Sequence, residues 1–210
     1  MTAADSERRN NLEEYSAVRK YRLHNDRGTR SAEMQVRVTY RKGEGKAFEI
    51  LASEGAEGMS GRVLRRLMDA EAEASRKETR DQSRVIARNY DFELLGTEMK
   101  NGRLCYLLQL IPKTKSKYLL SGEAWVDAEH FAIVRLEGRP TANVSFWVGK
   151  PYVVMDFEKV GDFWLISHNQ SRADCKFFGP MELTIDYSGY QVTGSQSLAK
   201  VRRTYNSSLE

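Results

Sequence analysis

Asp127, Glu129 and His130 stand in one polar run, Asp127-Ala128-Glu129-His130, where a carboxylate beside an imidazole could move protons in a hydrolysis. The same run has the composition of a turn between two strands, where polar residues are expected without any catalysis. No nucleophile motif accompanies it, since the chain has no G-x-S-x-G elbow. Gly43-Glu44-Gly45-Lys46 lacks both the spacing and the Ser or Thr of a phosphate-binding loop. His24, His130 and His168 are scattered without the paired spacing of metal ligands. The expectation is no enzyme, no metal site and no cofactor.

The remaining chemistry is that of binding. Trp125, Phe146, Trp147, Phe157 and Trp164 lie on predicted strands, where aromatics either line an apolar ligand pocket or fill the core. Lys113, Lys115 and Lys117 make a basic loop that could touch anionic headgroups or an acidic partner, or serve solubility alone. Cys105 and Cys175 fall in different predicted strands and read as two buried thiols or, in an exported protein, as one disulfide. With 33 Lys and Arg against 29 Asp and Glu, the net charge of +4 is a small surplus spread along the chain, so no nucleic-acid partner is expected.

Positioning these groups falls mainly to β-strands. Ala32, Met34, Val36, Val38 and Tyr40 alternate with polar residues, which marks a strand with one wet side. A turn with Gly43 and Gly45 leads to Ala47–Ala52, where Phe48 and Ile50 share a face, and Tyr15–His24 adds an earlier strand. From Ser60 the period changes: Val63, Leu64, Leu67 and Met68 recur at helical spacing over roughly 18 residues. Thr79 and Gln82 are spaced like a capping box, which predicts a second short helix ending near Asn89. Strands then return at Asp91–Met99 and Arg103–Ile111 around Asn101-Gly102, the dipeptide suited to the positive φ angles of a tight hairpin. Further strands are predicted at Tyr118–Val126, Phe131–Glu137, Asn143–Val148, Tyr152–Val160, Phe163–Arg172, Cys175–Phe178 and Met181–Val192, with Val201 and Tyr205 in a possible edge strand.

The 210 residues are therefore expected to form a single domain, 1–210, with an ordered barrel over about 12–193, a helical insertion at 60–88, and tails at 1–10 and 196–210. Ten or eleven antiparallel strands at about 4.8 Å would make a sheet about 50 Å wide, while one helix covers a strip of only about 10 Å. The apolar face must leave water, so the α+β fold expected is a strongly curled antiparallel sheet forming an unclosed β-barrel with a helical lid. Between sheet and helices an apolar cavity could hold an acyl chain. Its expected lining is Met34, Val36, Val38, Phe48, Ile50, Val63, Leu67, Met68, Leu108, Trp125, Phe146, Phe157, Trp164 and Leu183. The apolar runs are far shorter than the roughly 20 residues of a transmembrane helix, and the first ten residues lack the apolar core of an export signal.

Tyr90-Asp91-Phe92-Glu93-Leu94-Leu95-Gly96, the run Gly102–Lys113, Gly122-Glu123-Ala124-Trp125-Val126-Asp127 and Val134-Arg135-Leu136-Glu137-Gly138 resemble the outer-membrane lipoprotein-sorting and carrier proteins of the LolA-like fold. The strand ends also look like the lipid-sensing domain of periplasmic stress regulators. The resemblance is strongest over about Tyr90–Arg172 and implies an unclosed barrel with a helical lid, a periplasmic location, and binding of lipid or acylated lipoprotein. It leaves two functions: a carrier sheltering acyl chains, or an envelope sensor or scaffold acting on a protein partner with little or no cavity.

Overall fold

The computed structural model describes residues 11–25, 31–55, 59–75, 82–145, 148–176 and 179–194. The elements run β1 (Leu12–Asn25), β2 (Ser31–Arg41), β3 (Gly45–Glu54), α1 (Met59–Ala74), β4 (Tyr90–Lys100), β5 (Arg103–Pro112), β6 (Leu120–Asp127), β7 (Ile133–Pro140), β8 (Tyr152–Val160), β9 (Phe163–Cys175) and β10 (Gly179–Gly194). They build one sheet in the order β3-β2-β1-β10-β9-β8-β7-β6-β5-β4, antiparallel throughout. Hydrogen bonds do not close the sheet, so β3 and β4 are its two edges. The connection from β3 to β4 carries α1 and therefore has to pass from one edge to the other.

Cross-strand register assigns the faces, because directly opposed residues in an antiparallel pair share a side. One row runs Met34, Tyr21, Ile185, Asn169, Met155, Leu136, Ala124, Leu108, Leu94. The neighbouring row runs Gln35, Lys20, Asp186, His168, Asp156, Arg135, Trp125, Leu107, Gly96. The first row is apolar but for Asn169, and the second is polar or charged from Gln35 to Arg135. α1 lies on the apolar face over β1 to β3, where Leu64 and Met68 join Met34, Val36, Tyr21 and Ile185 in a buried cluster. A second cluster of Tyr90, Leu110, Leu119, Ala124 and Leu136 forms at the other end, with Val85 of the crossing segment packed on it.

Several local expectations are met in detail. Asn101 and Gly102 take φ of 51° and 74°, the tight-turn geometry their types favour. Cys105 and Cys175 are free thiols. Three expectations change. Gln82 is helical, but residues 83–89 leave the helix for turns, where the Asn89 side-chain amide donates to the Arg84 carbonyl ahead of β4. Thr79 lies outside the described residues. Residues 141–145 turn back on Val148 and Gly149 instead of extending, and Val148 makes only an isolated bridge to Cys175. The strand expected at Cys175 is the end of β9. Val201 and Tyr205 lie outside the described residues.

At one place the strands approach unusually closely. A Cβ on Gly122 would lie 2.1 Å from the Glu137 carbonyl oxygen, and one on Gly138 would lie 2.3 Å from that of Ser121. Only a residue without a Cβ fits there. Gly122→Val is expected to lower stability by about 2 kcal/mol or more, and an unchanged thermal midpoint by circular dichroism would contradict this packing.

Candidate functional site

The apolar face is sealed under α1 and at the second cluster, and open at the β4–β5 edge. Under α1, Met34, Val36, Val38 and Leu64 have no measurable exposure, whereas Leu94, Met99 and Leu104 on β4 and β5 are 62%, 64% and 54% exposed. Leu108, Met155 and Phe157 lie half-buried between these ends. The row from Leu94 through Leu108, Ala124 and Leu136 to Met155 crosses five strands and makes an apolar strip about 19 Å long.

The expected lining residues divide accordingly. Phe48, Val63 and Leu183 pack against the α1 cluster that holds Met34, Val36 and Met68, and Val38 is buried beside it with Tyr15 and Tyr40. Ile50 and Leu67 are 42% and 38% exposed at the helix end of the sheet. Leu108 and Phe157 belong to the open strip and its cluster. Trp125 and Trp164 do not join them. They pack with Cys105, Leu107 and Val134 in a small island on the opposite, polar face. The Trp125 indole donates to Glu98, and Lys100, Arg103 and Arg135 lie over the two indole rings. Phe146 and Trp147 lie outside the described residues. Leu94, Met99 and Leu104 are not among the expected residues; the bulge beside Leu94 breaks the alternation of β4.

A buried ion cluster fixes α1 to the sheet. Arg19, 1% exposed, donates to Tyr21 Oη at 3.0 Å and makes a two-pronged bond to Glu71 of α1 at 2.8 and 3.1 Å. Lys46 Nζ meets the same carboxylate at 2.5 Å, and its backbone N–H donates to Ser75 Oγ just after the helix. The Arg19 guanidinium also lies 4.6 Å from the Tyr187 ring centre. Burial alone would raise the Glu71 carboxyl, but Lys46 and Arg19 outweigh it and hold its pKa at about 2. Burial pushes the Tyr21, Tyr187 and Tyr190 hydroxyls up. Sequence does contain the signal for this cluster: Arg19 falls in phase with Tyr15, Ala17, Tyr21 and Leu23, a charge in an apolar register.

The acid–base run at Asp127 resolves into a hydrogen-bonded turn. Asp127 is buried at the end of β6; its Oδ1 accepts from the His130 backbone N–H at 2.6 Å and from Nδ1 at 3.0 Å, and its Oδ2 accepts from Arg103 at 2.9 Å. Lys159 Nζ stands 2.8 Å from His130 Nε2, so Nε2 accepts and the proton sits on Nδ1. Burial would raise the Asp127 carboxyl, and the bonds from His130 and Arg103 overcome it and hold it below the usual range. Glu129 brings a third oxygen near. The imidazole Nδ1 and the Asp127 oxygens are thus engaged in the turn's own hydrogen bonds, while the Glu129 carboxylate stays exposed.

There are two clefts of about 790 and 690 Å³; the larger opens on the polar face and the smaller reaches Leu104. The larger is lined by Gln109, Glu123 and Glu137 of the polar face with Lys113, Lys115, Arg139 and Lys150 around it. The smaller surrounds the Asn101-Gly102 turn and Asp127. Neither includes any of the expected lining residues.

No protein-family model matches this chain, and no curated protein matches it. Among solved structures, a LolA superfamily protein from Nitrosomonas europaea superposes with a TM-score of 0.50 at 12% identity, over 90% of this chain and 92% of that one. A domain named for outer membrane lipoprotein sorting, from Vibrio parahaemolyticus, gives 0.48 at 13% identity, over 90% and 91%. At this identity the likeness establishes the fold, a LolA-like one, and no more.

Proposed function

We propose that this chain of LolA-like fold is a periplasmic lipid- or lipoprotein-binding carrier that shelters acyl chains on its apolar sheet face, with the sheet curling around the guest and α1 as its lid. The observation that carries this is the incomplete cover of that face. α1 packs over β1 to β3 and β10, the second cluster covers Ala124 and Leu136, and beyond both Leu94, Met99 and Leu104 on β4 and β5 are each more than half exposed. A contiguous apolar strip of this kind marks a surface meant to be covered. A long, narrow strip with one polar residue in its row suits a flexible hydrocarbon chain, whose burial contributes about 0.8 kcal/mol per CH₂. The fold shared with a LolA superfamily protein supports the same role, and the saturated turn at Asp127 supports binding over catalysis.

The test is titration of the purified chain with a fluorescent fatty-acid analogue, followed by competition with unlabelled fatty acid. Saturable, displaceable binding is expected; absence of binding to any acyl ligand by natively folded protein would remove the proposal. Leu67→Glu, on the exposed flank of α1, is expected to weaken binding by about tenfold while changing stability by less than about 0.5 kcal/mol.

One observation favours a second role, as an envelope sensor or scaffold with little ligand cavity. β4 is a free edge carrying exposed Leu94, Leu95 and Met99, which a strand from a protein partner could cover. Capture of an envelope protein equally well by acyl-loaded and acyl-free chain would favour that role.

A further inference from the structure

We propose that the larger cleft on the polar face is a binding site for a phosphomonoester group carried on a small polar molecule, either free in solution or as the headgroup of a lipid. It lies on the opposite side of the sheet from the acyl strip and does not depend on acyl binding. Its basic groups come from separate segments: Lys113 and Lys115 from the β5–β6 loop, Arg139 from β7, and Lys150 from the β7–β8 loop. Sequence alone places the lysines on one solvated turn; the fold brings them opposite Arg139 and Lys150.

The two loops are tied together. The Thr141 N–H donates to Leu119 O at 3.0 Å, the Ser116 N–H to Thr141 Oγ1 at 2.8 Å, and that hydroxyl donates back to Ser116 O at 3.0 Å. Arg139 Nη1 donates to Lys150 O at 2.8 Å, and the Lys113 N–H to Asn89 O at 2.9 Å. The cations therefore stand on a fixed frame, so less ordering entropy opposes binding.

Charge selects the ligand. Lys113 is paired with Asp91 at 3.1 Å, and Glu137 shares Arg135, at 3.0 Å, with Asp156. The lining thus sets Lys113, Lys115, Arg139 and Lys150 against Glu123 and Glu137, with no partner for the Lys115 and Lys150 ammonium groups among the described residues. The surplus of positive charge favours an anion, and a phosphomonoester carries about −1.5 to −2 at neutral pH. A strong polyanion is disfavoured, because Glu123 on the floor would repel it, whereas a neutral hydroxyl could donate to that carboxylate. The space of about 790 Å³ exceeds what a bare phosphate fills and lies within the range of about 300–1,000 Å³ typical of small-molecule sites. Tyr152, whose ring lies 5.4 Å from the Arg139 guanidinium, offers a flat wall to the organic part.

The experiment is calorimetric titration of the full chain with glycerol 3-phosphate and with inorganic phosphate, alongside flotation with phosphatidylcholine vesicles containing either phosphatidic acid or phosphatidylglycerol. The variant is Lys115→Gln with Lys150→Gln; both side chains are exposed, and its thermal midpoint is checked against the parent. Binding of glycerol 3-phosphate that weakens at least tenfold in the variant supports the site with a soluble ligand. Flotation with phosphatidic acid but not phosphatidylglycerol, lost in the variant, supports it with a lipid-borne ligand. Equal flotation with both lipids reports unselective charge attraction and overturns the proposal. So does binding by neither probe, binding unchanged in the variant, or displacement by a poly-glutamate peptide in place of any phosphomonoester. Acyl binding is expected to be unaffected in the same variant, so failure here stays distinguishable from failure of the carrier role.

Discussion

Glu71→Gln is expected to lower the unfolding free energy by about 3 kcal/mol, the low end of the cost of breaking a buried ion pair, because the Glu71 side chain keeps 32% of its surface in solvent. The amide leaves Arg19 and Lys46 facing one another without a counter-charge, and Arg19 is 1% exposed. For a chain of this length the thermal midpoint should fall by roughly 6–12 °C. The pH dependence follows from the depressed carboxyl. Its pKa is about 2 in the folded chain against 4.5 ordinarily, so its stabilisation is complete above about pH 4.5 and is lost as pH falls toward 2. Wild type should therefore lose stability steeply between pH 5 and 2 relative to the variant, whose curve is flatter in that window. Parallel denaturation curves at every pH, with equal midpoints, would show that Glu71 does not clamp α1. Replacing Arg19, Lys46 and Glu71 together by apolar residues should cost less than Glu71→Gln alone, since no member of the cluster is then left as a charge without its partner.

The second large effect concerns the open strip. Leu94→Glu places a carboxylate at the uncovered end of the apolar row, opposite Leu108. Leu94 is 62% exposed, so stability should change by less than about 0.5 kcal/mol. Acyl binding should weaken by about tenfold or more, because covering a leucine contributes about 1.5–3 kcal/mol and the carboxylate adds a desolvation cost. Two controls lie on the other face. Ile111→Glu, 45% exposed in the register of Gln109 and Leu107, and Trp164→Phe should both leave acyl affinity unchanged. If Trp164→Phe abolished binding while Leu94→Glu did not, the ligand would belong to the aromatic island and the strip would be ordinary surface.

These contrasts also show which features local sequence can carry. The alternation Ala32-Met34-Val36-Val38-Tyr40 is a statement about one strand, and it appears in β2 with every named residue buried. Asn101-Gly102 states its own turn through φ preference, and the spacing of Val63, Leu64, Leu67 and Met68 states a helix, found as Met59–Ala74. Expectations failed where partners were needed. The helix expected to run to Asn89 is helical at Gln82 but gives way to turns over 83–89 at the entry to β4. Trp125 looks like a pocket residue by size, yet its face is set by its neighbours in register, Leu107 and Arg135.

What the sequence by itself determined is the set of strands, the hairpins and the helix, because φ preference and period-two or period-3.6 patterning act over a few residues. Tertiary structure alone decided that β1 pairs with β10, which aligns nine strands into one apolar row and one charged row. It also decided that Arg19 meets Glu71 across 52 residues of chain and that the cations around the polar cleft share one frame. Such pairings depend on register and chain closure between distant segments, and a one-residue slip would turn every side chain of a strand to the other face.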